Sequence, residues 1–139
     1  MNKTPQTTPA KLPESEKITL NLGFVDLGRI DLLVQEGFYS NRSDFIRTAI
    51  RNTLDRHAER VDQSVARRRL DLGLRRYGTR ELEAARAAGQ TLQIEVLGLV
   101  VIDADVAPEL AREAIAGIHV LGALQASAAV KQALAGRIR

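Results

Sequence analysis

The sequence contains no cysteine and few aromatic residues, and both scarcities restrict what the protein can be. Without cysteine it can form no disulfide, thiolate nucleophile or cysteine-ligated metal site. Aromatic residues make up only 4% of the chain, so a hydrophobic core must be built from Leu, Ile, Val and Ala. No apolar run approaches the roughly 18 residues that a membrane-spanning helix needs, and the first residues lack a secretory signal pattern. We therefore expect a cytoplasmic globular protein that does not bind a membrane.

Residues typical of enzyme active sites are also sparse. His57 and His119 are the two histidines, and there is no glycine-rich phosphate loop and no Ser/His/Asp arrangement. Asp103 and Asp105 precede a predicted helix, a position where carboxylates cap the helix far more often than they bind metal. We predict a protein that is not an enzyme and that uses no cofactor and no metal.

Residues 17–22 alternate apolar and polar side chains, which is the period of a half-buried strand. The apolar set is Ile18, Leu20 and Leu22, and the polar set is Lys17, Thr19 and Asn21. A single strand is unstable by itself, and the sequence offers no partner strand nearby. The simplest partner is the same strand of a second chain, paired antiparallel about a two-fold axis. Such a two-stranded ribbon fits the major groove of B-DNA.

Two helical patterns follow the predicted strand. In the first, apolar residues recur from Leu27 to Val34 at helical spacing, and Gly37 is placed to end the helix. The second begins after Asn41, which can cap a helix, with Asp44 at the reciprocal capping-box position. The free N–H groups at such a helix start suit a phosphate.

Over residues 16–56 this arrangement resembles the ribbon-helix-helix family of DNA-binding regulators, of the CopG, Arc and MetJ type. The strand alternation, the two helix lengths, the glycine turn and the N-R-S-D cap carry the resemblance, which implies an obligate dimer. By that resemblance the base-reading residues are Lys17, Thr19 and Asn21. The phosphate-binding residues at the helix start are Asn41, Arg42 and Ser43.

The positive charge of the chain lies after this motif. Residues 16–56 carry six basic and six acidic groups, whereas residues 57–80 carry seven arginines and three acids, a net charge of +4. Phosphate contacts dominate DNA affinity, so Arg67, Arg68 and Arg69 are candidates for extra phosphate contacts. The alternatives are a solvated helical face or linker and a surface for an acidic partner.

The C-terminal part contains an internal repeat. Residues 94–111 and 118–135 are identical at eight of eighteen positions and share an I-x-V-L-G core. Each copy is predicted to form a strand followed by a helix, with strands at 94–102 and 118–124 and with Asp103 or Asp105 and Ser127 as caps. The strands should be parallel, and a sheet of only two strands should associate between chains.

These patterns predict an α+β protein in four segments. A disordered arm covers residues 1–15, and the ribbon-helix-helix domain covers residues 16–58. A helical, arginine-rich connector covers residues 59–89 and includes a short helix at 80–88 capped by Thr79. Residues 90–139 form a small βαβα repeat domain that oligomerises, which we do not assign to a family.

The sequence favours a sequence-specific transcriptional regulator of DNA, a repressor associated with the nucleoid. It would bind double-stranded DNA as a homodimer and assemble further through its C-terminal repeat, into a tetramer or larger species. One alternative is an antitoxin, or another interaction module, that binds a protein partner. The other is an architectural protein that forms filaments on DNA.

Overall fold

The fold described here is that of a computed structural model, which describes residues 15–139. The arm predicted for residues 1–15 lies outside the described residues, apart from Ser15. The chain divides into two compact units, of which the first ends at Thr53 and the second runs from Leu54 to Arg139. Helices are combined with a small parallel sheet, and the α+β class is therefore confirmed.

The first unit is built on two helices, α1 (Phe24–Gln35) and α2, which spans Arg42–Arg56. Gly37 ends α1 with a left-handed φ of 84°, as the sequence predicted. The N–H of Phe38 donates to the carbonyl of Leu33 at 3.0 Å, and that of Gly37 donates to the carbonyl of Val34 at 3.1 Å. This pair of bonds satisfies carbonyls that the helix itself leaves free.

Residues 16–23 precede α1 and belong to no helix or strand in the single chain. Ile18 and Leu20, two of the three apolar positions of the predicted strand, are 78% and 60% exposed. A strand is defined by its hydrogen bonds to a neighbour, and the ribbon predicted here takes its neighbour from a second chain. The strand at 17–22 therefore stays a prediction.

The second unit begins with α3 (Ala58–Arg68) and continues as alternating strands and helices. In chain order these are β1 (Asp71–Tyr77), α4 (Thr79–Ala87), β2 (Leu92–Ile102), α5 (Pro108–Ala114), β3 (Ile115–Gln125) and α6 (Ala128–Ala133). The strands are parallel and lie in the order β1-β2-β3. A buried core joins Ile94, Val96 and Ile118 of the sheet to Leu82 of α4 and Val130 of α6, so these helices cover one face of the sheet.

Strand β1 corrects the prediction of a helical connector over residues 59–89. It pairs with β2 so that Leu72, Gly73 and Leu74 lie beside the corresponding Leu-Gly-Leu of β2. The repeat thus has three copies. The first could not be recognised in the sequence because it carries Asp71 and two arginines. It also lies 25 residues before the second copy, whereas the second and third copies are 24 residues apart. An exposed edge strand needs little hydrophobicity, so its periodicity was weak.

The three repeat glycines, Gly73, Gly98 and Gly122, lie side by side across the sheet. All three have positive φ, from 105° to 139°. A Cβ at Gly98 would collide with the carbonyl oxygen of Gly73, and one at Gly122 would collide with that of Gly98. The backbones approach so closely there that only glycine fits.

The structure changes two of the predicted helix caps and agrees with a third. Helix α4 starts one residue earlier than predicted, with Gly78 as its N-cap, and the buried hydroxyl of Thr79 has no hydrogen-bond partner. Neither Asp103 nor Asp105 caps α5, whose N-cap is Ala107. Ser127 does cap α6, because its hydroxyl accepts the N–H of Val130 at 3.1 Å.

Candidate nucleic-acid interface

The predicted base-reading residues Lys17, Thr19 and Asn21 lie together on the segment that leads into α1. All three are exposed, and all three come from one side of the alternating pattern. Lysine, threonine and asparagine side chains can each donate to or accept from base edges in the major groove. The position of these side chains in a paired ribbon stays a prediction.

An apolar groove lies between this segment and the two helices of the first unit, with a volume of about 420 Å³. Its lining comes from the segment, from α1 and from α2: Leu20, Leu22, Asp26, Arg29, Ile30, Leu33, Phe45, Ile46, Ala49 and Ile50. Only Ile30 is buried in α1, and α2 has no buried residue. The first unit therefore has the apolar side chains of a core but not a closed core.

The start of α2 is capped as the sequence predicted. The side-chain oxygen of Asn41 accepts the N–H of Asp44 at 2.8 Å. The Asp44 carboxylate accepts the N–H of Ser40 at 2.9 Å, one residue before the usual capping-box partner. In residues 15–139 the N–H groups of Arg42 and Ser43 donate to no protein acceptor, so both are available to an anion.

Arg42 is not a free cation. Its Nε and Nη2 atoms each donate to one carboxylate oxygen of Asp31 on α1, both at 2.8 Å. Hydrogen bonding from Arg42 lowers the pKa of Asp31, and hydrogen bonding to Asp31 raises the pKa of Arg42. Both side chains are about half exposed, so solvent screens the pair.

Sequence reasoning missed the role of Asp31. It precedes Arg42 by eleven residues and lies on the other helix, so no helical spacing links the two. Only the α1–α2 turn around Gly37 brings them together. Because of this salt bridge, the positive charge of Arg42 that was predicted to bind phosphate is already balanced by a carboxylate.

The two arginine clusters that follow α2, Arg67–Arg69 and Arg75–Arg76, differ in their partners. Arg75 and Arg76 are paired, the first with Asp71 at 3.5 Å and the second with Asp103 at 2.7 Å. Arg67, Arg68 and Arg69 are exposed at the end of α3 and form no salt bridge within residues 15–139. The three predicted extra phosphate contacts are therefore unpaired positive charges, as are Arg60 and Arg80 elsewhere in residues 57–80.

The structure shows no metal-binding cluster of three or more His, Asp or Glu in the part of the chain that it describes. His119 of β3 and Glu95 of β2 lie opposite each other in the sheet. No helix within residues 15–139 has the length and apolar character needed to cross a membrane.

The comparisons with known proteins identify the class of the chain. The sequence profile of the ribbon-helix-helix transcriptional regulator family matches residues 13–131. No curated protein and no solved structure gives a match. Because the profile spans most of the chain, the protein belongs to the ribbon-helix-helix transcriptional regulator family. The match extends well beyond residues 16–56, through all three strands of the sheet.

Proposed function

We propose that this regulator is a sequence-specific repressor that binds the major groove of DNA as a homodimer. Residues 17–22 of two copies would pair as an antiparallel ribbon, with Lys17, Thr19 and Asn21 directed at the bases. A bound dimer would block a promoter. The protein would act in the cytoplasm, on the nucleoid, and its activity would be non-enzymatic.

The open core of the first unit is the observation that carries this proposal. Leu20 and Ile50 line the groove but are exposed, although their spacing suits a buried face, and Ile18 of the same segment is exposed as well. Monomeric proteins rarely leave a contiguous apolar patch of this kind uncovered. A second copy would place its own strand and helices over the groove, which would also give the strand its missing hydrogen bonds.

The start of α2 supports a role in binding the DNA backbone. The free N–H groups of Arg42 and Ser43, together with the positive end of the helix dipole, suit a phosphate oxygen. Asn41 holds this end of the helix in place. Because Asp31 balances Arg42, we propose that the backbone N–H groups, more than the guanidinium, bind the phosphate.

Extra affinity would come from Arg67, Arg68 and Arg69. The motif at residues 16–56 has no net charge, and these three arginines are exposed without salt bridges in the described chain. Each phosphate contact contributes to binding that weakens with salt. They would therefore set affinity without setting sequence preference.

The C-terminal unit would then bring chains together. It has a closed two-layer core, in which eight large side chains are fully buried: Leu82, Ile94, Val96, Val100, Ile115, Ile118, Val130 and Leu134. A folded unit of this kind supports self-assembly more than the disordered, toxin-binding tail of an antitoxin.

The deciding experiment is a DNA selection from a random pool at two salt concentrations. It compares the full chain with a Lys17→Ala/Thr19→Ala/Asn21→Ala variant and an Arg67→Gln/Arg68→Gln/Arg69→Gln variant. Lys131→Ala on α6 is the control, because it also removes one exposed positive charge. We expect the full chain and the control to enrich a palindromic or tandem motif.

The two variants should fail differently. Loss of the ribbon side chains should abolish enrichment, at about 1–3 kcal/mol for each lost base contact. Loss of the arginines should keep the motif but flatten the salt dependence. Equal enrichment by the ribbon variant would show that another surface reads the sequence. Binding without enrichment by the full chain would favour an architectural protein, and no binding would favour a protein partner such as a toxin.

A further inference from the structure

The sheet of the C-terminal unit has a second face, on the side away from α4, α5 and α6. Side chains alternate along a strand, and the core residues of β2 are Ile94, Val96 and Val100. The residues between them therefore point to the other face. We call this the open face, and its apolar side chains are Leu72, Leu74, Leu97, Leu99, Val101, Leu121 and Ala123.

Most of the open face is exposed in one chain, although Val101 at its edge is only 5% exposed. Leu72 is 61% exposed, Leu74 is 51% exposed and Leu121 is 44% exposed. They belong to the same rows as Leu97 and Leu99, which are half-buried in the middle of the sheet. Parallel sheets usually have both faces covered, since unlike antiparallel sheets they rarely leave one face in water. The leucines of this face therefore remain exposed to solvent where a parallel sheet is usually covered.

The rim of the open face is polar. Glu95 and His119 lie at the end where the strands begin, and Arg76 and Gln125 lie at the end where they finish. An apolar centre with a polar rim is the usual anatomy of a protein–protein interface. A two-fold axis perpendicular to the strands would place the end with Glu95 over the end with Arg76 of the other copy. Arg76 is already paired with Asp103, so the match between the two faces lies in their apolar rows. The same axis would place Leu72, Leu97 and Leu121 of one copy over Leu74, Leu99 and Ala123 of the other.

The size of the face decides which kind of partner fits. With strands about 4.8 Å apart and a rise of about 3.3 Å per residue, it covers roughly 240 Å², or roughly 500 Å² for two copies. Independent proteins need about 1,200–2,000 Å² to form a stable complex. The open face is too small to hold a free partner. It suffices for a partner already held nearby, because a tethered copy has an effective concentration near the millimolar range.

We propose that the open face packs against the open face of a second copy of this chain. The inference rests on the proposed ribbon dimer, since the ribbon supplies the tethering that so small an area requires. Two copies packed in this way form a four-layer unit, with helices outside and the two sheets about 10 Å apart at the centre. The C-terminal unit would then give the two copies a second contact surface, in addition to the ribbon.

Photo-cross-linking of the full chain tests the proposal. Leu72 and Leu121 are each replaced by p-benzoylphenylalanine, which reacts under light with whatever lies against it. Both positions are exposed in the single chain, so its own fold does not need the leucine side chain there. Glu83 on α4, exposed on the helical side, receives the same replacement as a control. Mixing ¹⁵N-labelled and unlabelled protein marks the products that join two chains.

We expect a covalent dimer from both open-face positions, at a yield at least tenfold above the Glu83 control. Its cross-linked peptides should combine the two isotopes and should come from β1, β2 or β3 of the other copy. A yield no greater than the control, or cross-links confined to a single chain, would overturn the proposal. Agreement between positions 72 and 121 guards against a local effect of either replacement.

A separate variant shows whether the ribbon itself forms. Thr19 is the middle of the three polar positions of the predicted strand. In an antiparallel ribbon centred on it, Thr19 lies opposite Thr19 of the second copy, close enough for a disulfide between cysteines placed there. The chain has no cysteine, so a disulfide in the Thr19→Cys variant can only join residue 19 of one copy to residue 19 of another. If Thr19→Cys forms a dimer and the open-face variants do not, the ribbon stands and the open-face inference fails. If the open-face variants alone cross-link, the proposed ribbon fails.

Discussion

Arg42, at the start of α2, is held in a two-pronged salt bridge by Asp31 of α1. Both nitrogen–oxygen distances are 2.8 Å. The pair ties the start of one helix to the side of the other across the turn at Gly37. It also neutralises the one basic side chain at the predicted phosphate-binding end of α2.

Removing this salt bridge should lower thermal stability at neutral pH but leave it unchanged at strongly acidic pH. The pKa of Asp31 is lowered in the folded chain by the hydrogen bond from Arg42. The stabilisation is therefore fully present above the ordinary aspartate pKa of 3.8 and is lost as pH falls through the lower folded value. We expect Asp31→Asn to unfold at a slightly lower temperature than the parent at pH 7 and at the same temperature near pH 2. Thermal denaturation followed by circular dichroism measures both, and Glu36→Gln, an exposed acid near the end of α1, serves as control.

The same substitution should strengthen DNA binding. Without Asp31, the guanidinium of Arg42 is free to contact a phosphate, and one added contact steepens the slope of log affinity against log salt by about 0.9. Fluorescence anisotropy with a selected DNA site at several salt concentrations measures the slope. An unchanged slope and affinity would show that Arg42 lies away from the DNA backbone.

The cap of α2 gives a prediction about stability. Asn41→Ala removes the oxygen that accepts the N–H of Asp44 and should cost about 1 kcal/mol. Asn41→Ser keeps a capping oxygen and should recover most of the loss. Urea denaturation compares the three proteins. Equal losses of stability in the two variants would mean that the Asn41 amide stabilises the helix through a contact other than this hydrogen bond.

Two glycine substitutions should act in opposite directions. Gly98→Ala forces a Cβ against the carbonyl of Gly73 at positive φ, and we expect a loss of roughly 3 kcal/mol or more. Gly28→Ala adds a methyl group to an exposed position of α1 with no atom within 4 Å, and should gain up to about 1 kcal/mol. Melting temperatures of the two variants test both, and a Gly98→Ala protein as stable as the parent would contradict the close approach of β1 and β2.

Local chemistry in the sequence determined much of the first unit and part of the second. The period of 3.6 predicted the two helices, Gly37 predicted where α1 ends, and Asn41 predicted the cap of α2, because each depends on residues within one turn. The repeated I-x-V-L-G core likewise placed β2 and β3 before their pairing was known.

Tertiary structure alone decided what depends on residues far apart in sequence. Strand β1 could not be recognised from its charged sequence, because its strand character comes from pairing with β2. Asp103 was one of two candidate caps for a helix, but it instead binds Arg76, 27 residues away, once the strands align. Asp31 and Arg42 meet for the same reason: a turn sets the distance between two helices, and no periodicity within either helix encodes it.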